Sequence, residues 1–284
     1  MHKIPLPRTG GIAIVAGVAT AALVLEGILF LLLPAGLLAV VSYVDDRRPL
    51  PAPVRLVFHL IAVALFLWVA GPLSVWAFMT LVVSVAWLTN LYNFMDGSDG
   101  LAGGMAVIGF GSLAIVAVMS GAFQLGLLCL AIGMASGGFL IFNFPPAKIF
   151  MGDVGSIPLG FLAGAIGVVG WQRFVWPLWV PLLVFSPFVI DATVTLVRRI
   201  LQGERIWQAH RQHYYQRLIL AGWSHRKTAM VEYALMIFAG GSAIACIASP
   251  GLVGPVMLTA YASAVLIAMW TVDRRWARFA GASR

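Results

Sequence analysis

Charge is what this sequence has least of. Asp, Glu, Lys and Arg make up 10% of its 284 residues, against about 25% in an ordinary soluble domain. That shortage excludes a solvated surface over most of the chain. Cysteine is nearly missing as well: Cys129 and Cys246 both fall inside apolar runs, so no disulfide framework is expected. A cleavable leader is not expected either, because the opening residues are polar and the first apolar run lacks an Ala-x-Ala-like end. Nothing in the pattern points to a nucleic-acid partner or leaves room for a second, soluble domain.

What remains is 61% hydrophobic and arranged in long runs. Runs of about 20 residues are the length of a membrane-crossing helix. They fall at roughly 11–25, 27–44, 53–70, 73–91, 101–119, 122–142, 155–171, 175–197, 227–248 and 252–272. The expectation is an all-α polytopic membrane protein, residues 1–284 as one domain, with about ten spans. Charge placement supplies the orientation. With the N-terminus inside, the cytoplasmic segments are about 1–10, 45–52, 92–100, 143–154, 198–226 and 273–284. Of the 18 Lys and Arg, only Arg173 then falls outside, with Arg55 assigned to the edge of the 45–52 loop. Positive residues prefer the cytoplasmic side, so this asymmetry supports the frame. Asp45, Asp46, Asp96, Asp99, Asp153, Glu204 and Asp273 gather on the same side, and Asp191 lies about two turns inside the eighth run. Solvation explains polar loops but not the near absence of acid on the opposite face, so a shared cytoplasmic site is expected.

The chain is organised around residues 90–104, which hold Asn90, Asn93, Asp96, Asp99 and glycines 97, 100, 103 and 104. Carboxylates beside hydrocarbon are costly and mark functional sites. Asp45-Asp46 ends the second run; two adjacent carboxylates repel, which suits a metal site or a base, or equally a solvated helix end. In the 142–156 stretch, Asp153 stands between Gly152 and Gly155, with Lys148 upstream and Ser156 as a candidate helix cap. One carboxylate with open backbone is how Mg²⁺ is commonly held, substrate phosphates completing the shell. His210 and His213, three apart, would share a face if helical. Arg198, Arg199, Arg205, Arg211, Arg217 and Arg226 surround them. That loop reads equally as an amphipathic helix on anionic headgroups. Zinc is disfavoured, since no Cys or second His pair sits at ligand spacing. A divalent cation with a basic crown is what phosphoryl transfer uses, because catalysis there is mostly positioning and charge neutralisation.

These motifs, in their order along nearly the whole chain, resemble the polyprenyl-phosphate N-acetylhexosamine-1-phosphate transferases. The motifs are Pro7-Arg-Thr-Gly-Gly11, Asp45-Asp46, Asn90-x-x-Asn93-Phe-x-Asp96-Gly-x-Asp99-Gly-Leu-Ala, Asn143-Phe-x-Pro-Ala-Lys-x-Phe-Met-Gly-Asp153-x-Gly-Ser, and the His-rich loop. The resemblance implies a bacterial inner-membrane enzyme with a cytoplasmic active site. It would join UDP-N-acetylhexosamine to undecaprenyl phosphate with Mg²⁺ (or Mn²⁺), releasing UMP and starting a surface glycan such as O-antigen. It implies Asp153 as principal metal ligand, with Asp96 and Asn93 near metal and diphosphate, and Asp45 beside Asp46 assisting the lipid phosphate. Asp99, Asn143 and Phe150 would form a uridine pocket, and His210, Arg211 and His213 the loop over sugar and diphosphate. Lys148, Arg55, and Lys3 or Arg8 would contact phosphate; Asp191 sits where the family keeps an acid. A homodimer is compatible with it. The His-Arg-Gln-His-Tyr-Tyr-Gln loop is closer to relatives using UDP-N-acetylfucosamine or UDP-N-acetylquinovosamine than to many using UDP-N-acetylglucosamine. Family members usually carry a span ahead of the Pro-Arg-x-Gly-Gly loop, where this sequence opens almost at that loop; this is its main departure, and it bears on lateral lipid access.

Two other readings stand beside this one. A CDP-alcohol phosphotransferase also places Asp-Gly at a membrane edge, but its pattern needs an Arg where Gly103-Gly104 follows Asp99-Gly-Leu-Ala. A non-enzymatic transporter would place polar sites at mid-membrane in matched halves, and no internal repeat is visible.

Overall fold

Apolar runs separated by Pro, Gly and Ser become helices separated by tight turns in the computed structural model, which describes residues 6–21, 24–205, 208, 210–249 and 251–282. In order they are α1 (Gly10–Ala21), α2 (Leu29–Arg47), α3 (Ala52–Ala70), α4 (Val75–Phe94), α5 (Leu101–Met119), α6 (Phe123–Asn143), α7 (Asp153–Gln172), α8 (Trp179–Val184), α9 (Ser186–Leu201), α10 (Tyr214–Leu220), α11 (His225–Ala248) and α12 (Val253–Ala282). The described residues contain no strand. A serine side chain starts two of the helices. Ser74 and Ser224 accept hydrogen bonds from the Ala77 and Lys227 N–H groups, each at 3.2 Å. Such side-chain acceptors satisfy donors that a helix leaves open.

Ten spans were expected; among the described residues eight helices are long and apolar enough to cross a membrane. The first expected span is a helix of 12 residues. The eighth is broken into α8 and α9 at Phe185, where Pro187 follows. Proline cannot supply the N–H that would continue a helix across that break. α12 also overshoots its expected end near 272 and continues to Ala282.

α7 is the central post. Nearly all of it is buried, and it packs chiefly against α2 and α4. Small residues make that possible. A Cβ at Gly160 would lie 2.9 Å from the Thr89 backbone, and one at Gly164 2.9 Å from Val85. Without an oil–water difference between helices, close backbone packing of this kind is what drives association in a membrane. The outward faces of the bundle carry exposed Trp68, Trp76, Leu33 and Ile141, as a lipid-facing surface requires. Because α7 begins at Asp153, the post delivers that carboxylate to the end of the bundle where α2 and α4 finish.

Candidate functional site

A glycine turn and a backbone pairing build the acidic end of the bundle. Gly152, at φ +72°, turns the chain into α7, a conformation that costs glycine little. The 6–11 segment then runs alongside the 149–151 stretch. Phe150 N–H donates to the Pro7 carbonyl (2.8 Å), Gly10 N–H to the Phe150 carbonyl (3.0 Å) and Gly11 N–H to the Met151 carbonyl (2.8 Å). A Cβ on Gly11 would sit 2.2 Å from the Gly155 nitrogen, so only glycine lets the two backbones meet. This approach brings the exposed Arg8 within electrostatic range of Asp46 and Asp96.

The carboxylates converge from α2, α7 and the α4–α5 loop. Asp45 accepts the Leu50 N–H at 2.6 Å and the Arg55 Nη1 at 3.0 Å. The same Arg55 nitrogen lies 3.6 Å from Asp153. Arg55, expected at a loop edge, is in the first turn of α3. Asn93 Nδ2 donates to Asp153 over a long 3.4 Å, and its Oδ1 accepts the Ser156 hydroxyl at 2.8 Å. Ser156 was expected to cap α7, but the cap position is Gly152 and no side chain caps it. Ser156 instead orients Asn93. Asp46 lies against the Gly152 turn, and its Oδ2 is buried with no hydrogen-bond partner among the described residues. Burial, then the charges of Asp153 and Asp46, push the Asp96 carboxyl well above the usual carboxylate range, with Arg8 opposing.

Asp99 and Asn143 act on the loops themselves. Asp99 Oδ2 accepts the Ala147 N–H at 3.0 Å, and its Oδ1 is 3.7 Å from His225 Nδ1. Asn143 accepts the Gly100 N–H and donates to the Ile149 carbonyl, both at 2.8 Å. These buried pairs tie the 95–100 turn to the 143–151 loop. Phe150 is half-buried, and Lys148 is exposed. Lys3 lies outside the described residues.

The two histidines do not share a helical face. His213 is the residue ahead of α10 and His210 lies in the loop before it. Their rings still meet at 4.9 Å between centroids, with Phe94 on the other side of His213 at 6.2 Å. Burial lowers the His210 imidazole to about 4, helped by His213 and Arg199 and opposed by Glu204 and Asp191, so it is neutral at physiological pH. Arg211 is exposed.

Asp191 is what composition could not assign. From α9 it accepts the Tyr214 N–H at 2.9 Å, the Tyr215 N–H at 3.1 Å, the Thr195 hydroxyl at 3.2 Å, and a 3.2 Å contact from His213 Nδ1. It anchors the start of α10 and with it the His213 ring. Its sequence signals were an acid inside an apolar run and a position where the resembling family keeps an acid, neither of which says what it holds. Tyr215, pinned to the Phe94 carbonyl at 3.0 Å, then ties the His loop to the α4–α5 turn. Among the described residues, no three His, Cys, Asp or Glu side chains converge tightly enough to hold a metal ion unaided.

A family model described as glycosyl transferase family 4 matches residues 28–171. That interval contains all four clustered aspartates but stops short of Asp191 and the histidines. A probable undecaprenyl-phosphate N-acetylglucosaminyl 1-phosphate transferase of Bacillus subtilis is 31% identical over 274 residues, 86% of this chain and 74% of that protein. A phospho-N-acetylmuramoyl-pentapeptide-transferase of Staphylococcus saprophyticus is 34% identical over 174 residues, 60% of this chain and 51% of its own. One from Staphylococcus aureus is 34% identical over 192 residues, 65% and 58% of the two chains. The chain therefore spans little more than half the length of the pentapeptide-transferases it matches.

Proposed function

This chain belongs to glycosyl transferase family 4, and from that premise we propose that it transfers an N-acetylhexosamine-1-phosphate from a UDP-sugar to undecaprenyl phosphate, releasing UMP. The observation that carries the reading is the convergence of Asp45, Asp46, Asp96 and Asp153 with Arg8 and Arg55 at one end of a membrane bundle. A site at a bilayer edge suits one lipid-borne and one soluble substrate. The relatives support the substrate classes through what their names say they act on. They also favour this reading over a CDP-alcohol enzyme or a transporter.

In the reaction, an oxygen of the lipid phosphate forms a bond to the β-phosphorus of the UDP-sugar. The bond from that phosphorus to the bridging oxygen breaks, and UMP leaves with the electron pair. The acceptor phosphate is already largely ionised near neutral pH, its second pKa being about 6. Asp45, held by Arg55, therefore orients the acceptor rather than serving as an obligatory base. Arg8 and Arg55 offset charge on the phosphates, and buried His213, fixed by Asp191, holds the loop that would lie over sugar and diphosphate.

The residues fit a divalent cation. Asp46 Oδ2 is a buried acceptor without a donor, and Asp46, Asp96 and Asp153 crowd like charges that a cation would relieve. Magnesium takes one or two carboxylates and fills its shell with water and phosphate oxygens, which agrees with the lack of a three-ligand cage. Asp153 and Asp96 would hold Mg²⁺ (or Mn²⁺), which when bound neutralises charge on the departing diphosphate oxygens.

The active site is read as facing the cytoplasm of a bacterial inner membrane, where UDP-sugars are found. The product would start a surface glycan such as O-antigen, with N-acetylfucosamine, N-acetylquinovosamine or N-acetylglucosamine as the sugar. The test is UMP release by purified protein with undecaprenyl phosphate, Mg²⁺ and each of the three UDP-sugars, with Asp153→Asn as blank. Release with one sugar supports the class and identifies the substrate. No release from folded protein with any UDP-N-acetylhexosamine overturns the reading.

A further inference from the structure

Away from the clustered aspartates, α9, α10, α11 and α12 enclose a cavity of about 750 Å³. Its walls are mostly apolar, with Ile190, Leu218, Leu235, Val265, Ala268 and Met269 among them. Its rim carries Arg274, Arg275 and Arg278, all exposed, on the last turns of α12. α11 and α12 are both long and apolar enough to cross a membrane, so lipid surrounds the helices that wall the cavity.

We propose that this cavity binds one anionic phospholipid of the surrounding bilayer, its phosphate on the arginine rim and an acyl chain along the apolar walls. Charge gives the orientation. Among the described lining residues the cations are Arg274, Arg275 and Arg278, all of α12, so an anionic head is drawn to that rim and the apolar interior is left to a chain. Basic pockets between membrane helices on one face recognise such headgroups. The rim is poorly engaged by protein. Arg275 donates to the Ala221 carbonyl at 3.2 Å and lies over the Trp223 ring at 5.7 Å, Arg274 lies over the Trp270 ring at 3.9 Å, and none of the three is paired with a carboxylate among the described residues. Trp223, another wall residue, has its indole Nε1 buried with no acceptor among the described residues. A lipid phosphate or ester oxygen is the acceptor that donor lacks.

The cavity also touches the His loop from behind. Tyr214 and Leu218 of α10 form part of its wall, and Tyr214 follows His213 directly. A bound chain would therefore steady the short helix that carries His213. The lipid site itself does not depend on the transfer reading.

The experiment is native mass spectrometry of the full chain released from nanodiscs of phosphatidylcholine containing phosphatidylglycerol. Wild type retains one phosphatidylglycerol in preference to phosphatidylcholine. Losing a surface arginine weakens such contacts about fivefold, so the Arg274→Gln/Arg278→Gln pair lowers retention about 25-fold. Ala268→Trp, which fills the cavity, lowers retention with the arginines intact. The exposed arginine pair leaves the fold unaltered by thermal melt, so it decides the matter if the tryptophan variant misfolds. Equal retention of both lipids, unchanged retention in the arginine pair, or displacement of phosphatidylglycerol by added undecaprenyl phosphate overturns the proposal.

Discussion

Two carboxylate clusters sit at the same end of this bundle and are built on opposite principles. Around α9, α10 and α12 the carboxylates are saturated. Asp273 takes both Arg198 nitrogens at 2.7 Å, Arg217 at 3.1 Å and the Tyr214 hydroxyl at 3.3 Å, and Asp191 accepts from two backbone N–H groups, a hydroxyl and His213. Around the start of α7 Asp45 is held by the Leu50 N–H and Arg55, but Asp46 and Asp153 are poorly paired. Asp153 has contacts at 3.4 and 3.6 Å, and Asp46, though the Val154 and Asp153 N–H groups act on it, keeps its buried Oδ2 without a side-chain or backbone partner among the described residues. Buried polar groups in folded proteins are almost always paired. Where the pairing is complete the cluster holds helices together, and where it is incomplete the proposed divalent cation and phosphates would supply the missing partner.

The sharpest break in this comparison is Asp153→Asn. In the poorly paired cluster it should cost transfer at least about 10²–10³-fold, the scale of losing one electrostatic group at a reaction centre, with little change in the melting temperature. UMP release and a thermal melt in detergent measure both. Asp191→Asn tests the saturated cluster and should behave in reverse. It leaves buried donors short of an acceptor, so stability falls by about 2–3 kcal/mol before activity is considered. A denaturation midpoint that did not move would remove Asp191 from its anchoring role.

Asp96→Asn should sharpen the contrast with a smaller effect of opposite sign. Burial, then the charges of Asp153 and Asp46, penalises an ionised Asp96 in the folded chain; Asn carries no such penalty, so without divalent cation the variant is more stable than wild type by about 1 kcal/mol and melts higher. Added Mg²⁺ then raises wild type more than the variant. A lower melting temperature without cation would show that Asp96 is already paired. The smallest effect belongs to His210. Its folded pKa, lowered to about 4, lies below the unfolded value of about 6.5. The unfolded chain therefore takes up the proton first, and the stability tied to neutral His210 is complete above about pH 6.5 and lost as pH falls toward 4. His210→Gln should flatten that part of a melting-temperature-against-pH curve, and an unchanged slope would contradict the burial that depresses the imidazole.

Much of this was legible without coordinates. Apolar runs and a one-sided charge distribution gave the helices and a common polar end, because hydrocarbon tolerates little else. The motif spacing singled out Asp45, Asp46, Asp96 and Asp153 because carboxylates at a membrane edge are too costly to be idle. What was misread involved partners distant in sequence. Ser156 looks like a cap until Asn93 is seen above it, and the histidines look helical until Asp191 takes the N–H groups that begin α10. The break at Phe185 was hidden because composition reports hydrophobicity, whereas the Pro187 ring decides whether a helix can continue.

The sequence by itself determined that this chain is an all-helical membrane protein, which way its charge is polarised, and which acids have no reason to be in a membrane. Only the tertiary structure decided which of those acids are satisfied. Hydrophobic burial is a property of each run and is written locally. A carboxylate's fate depends on whether an N–H, a guanidinium or nothing arrives from a helix far along the chain, and that is settled when α7 seats between α2 and α4 and α10 seats on Asp191.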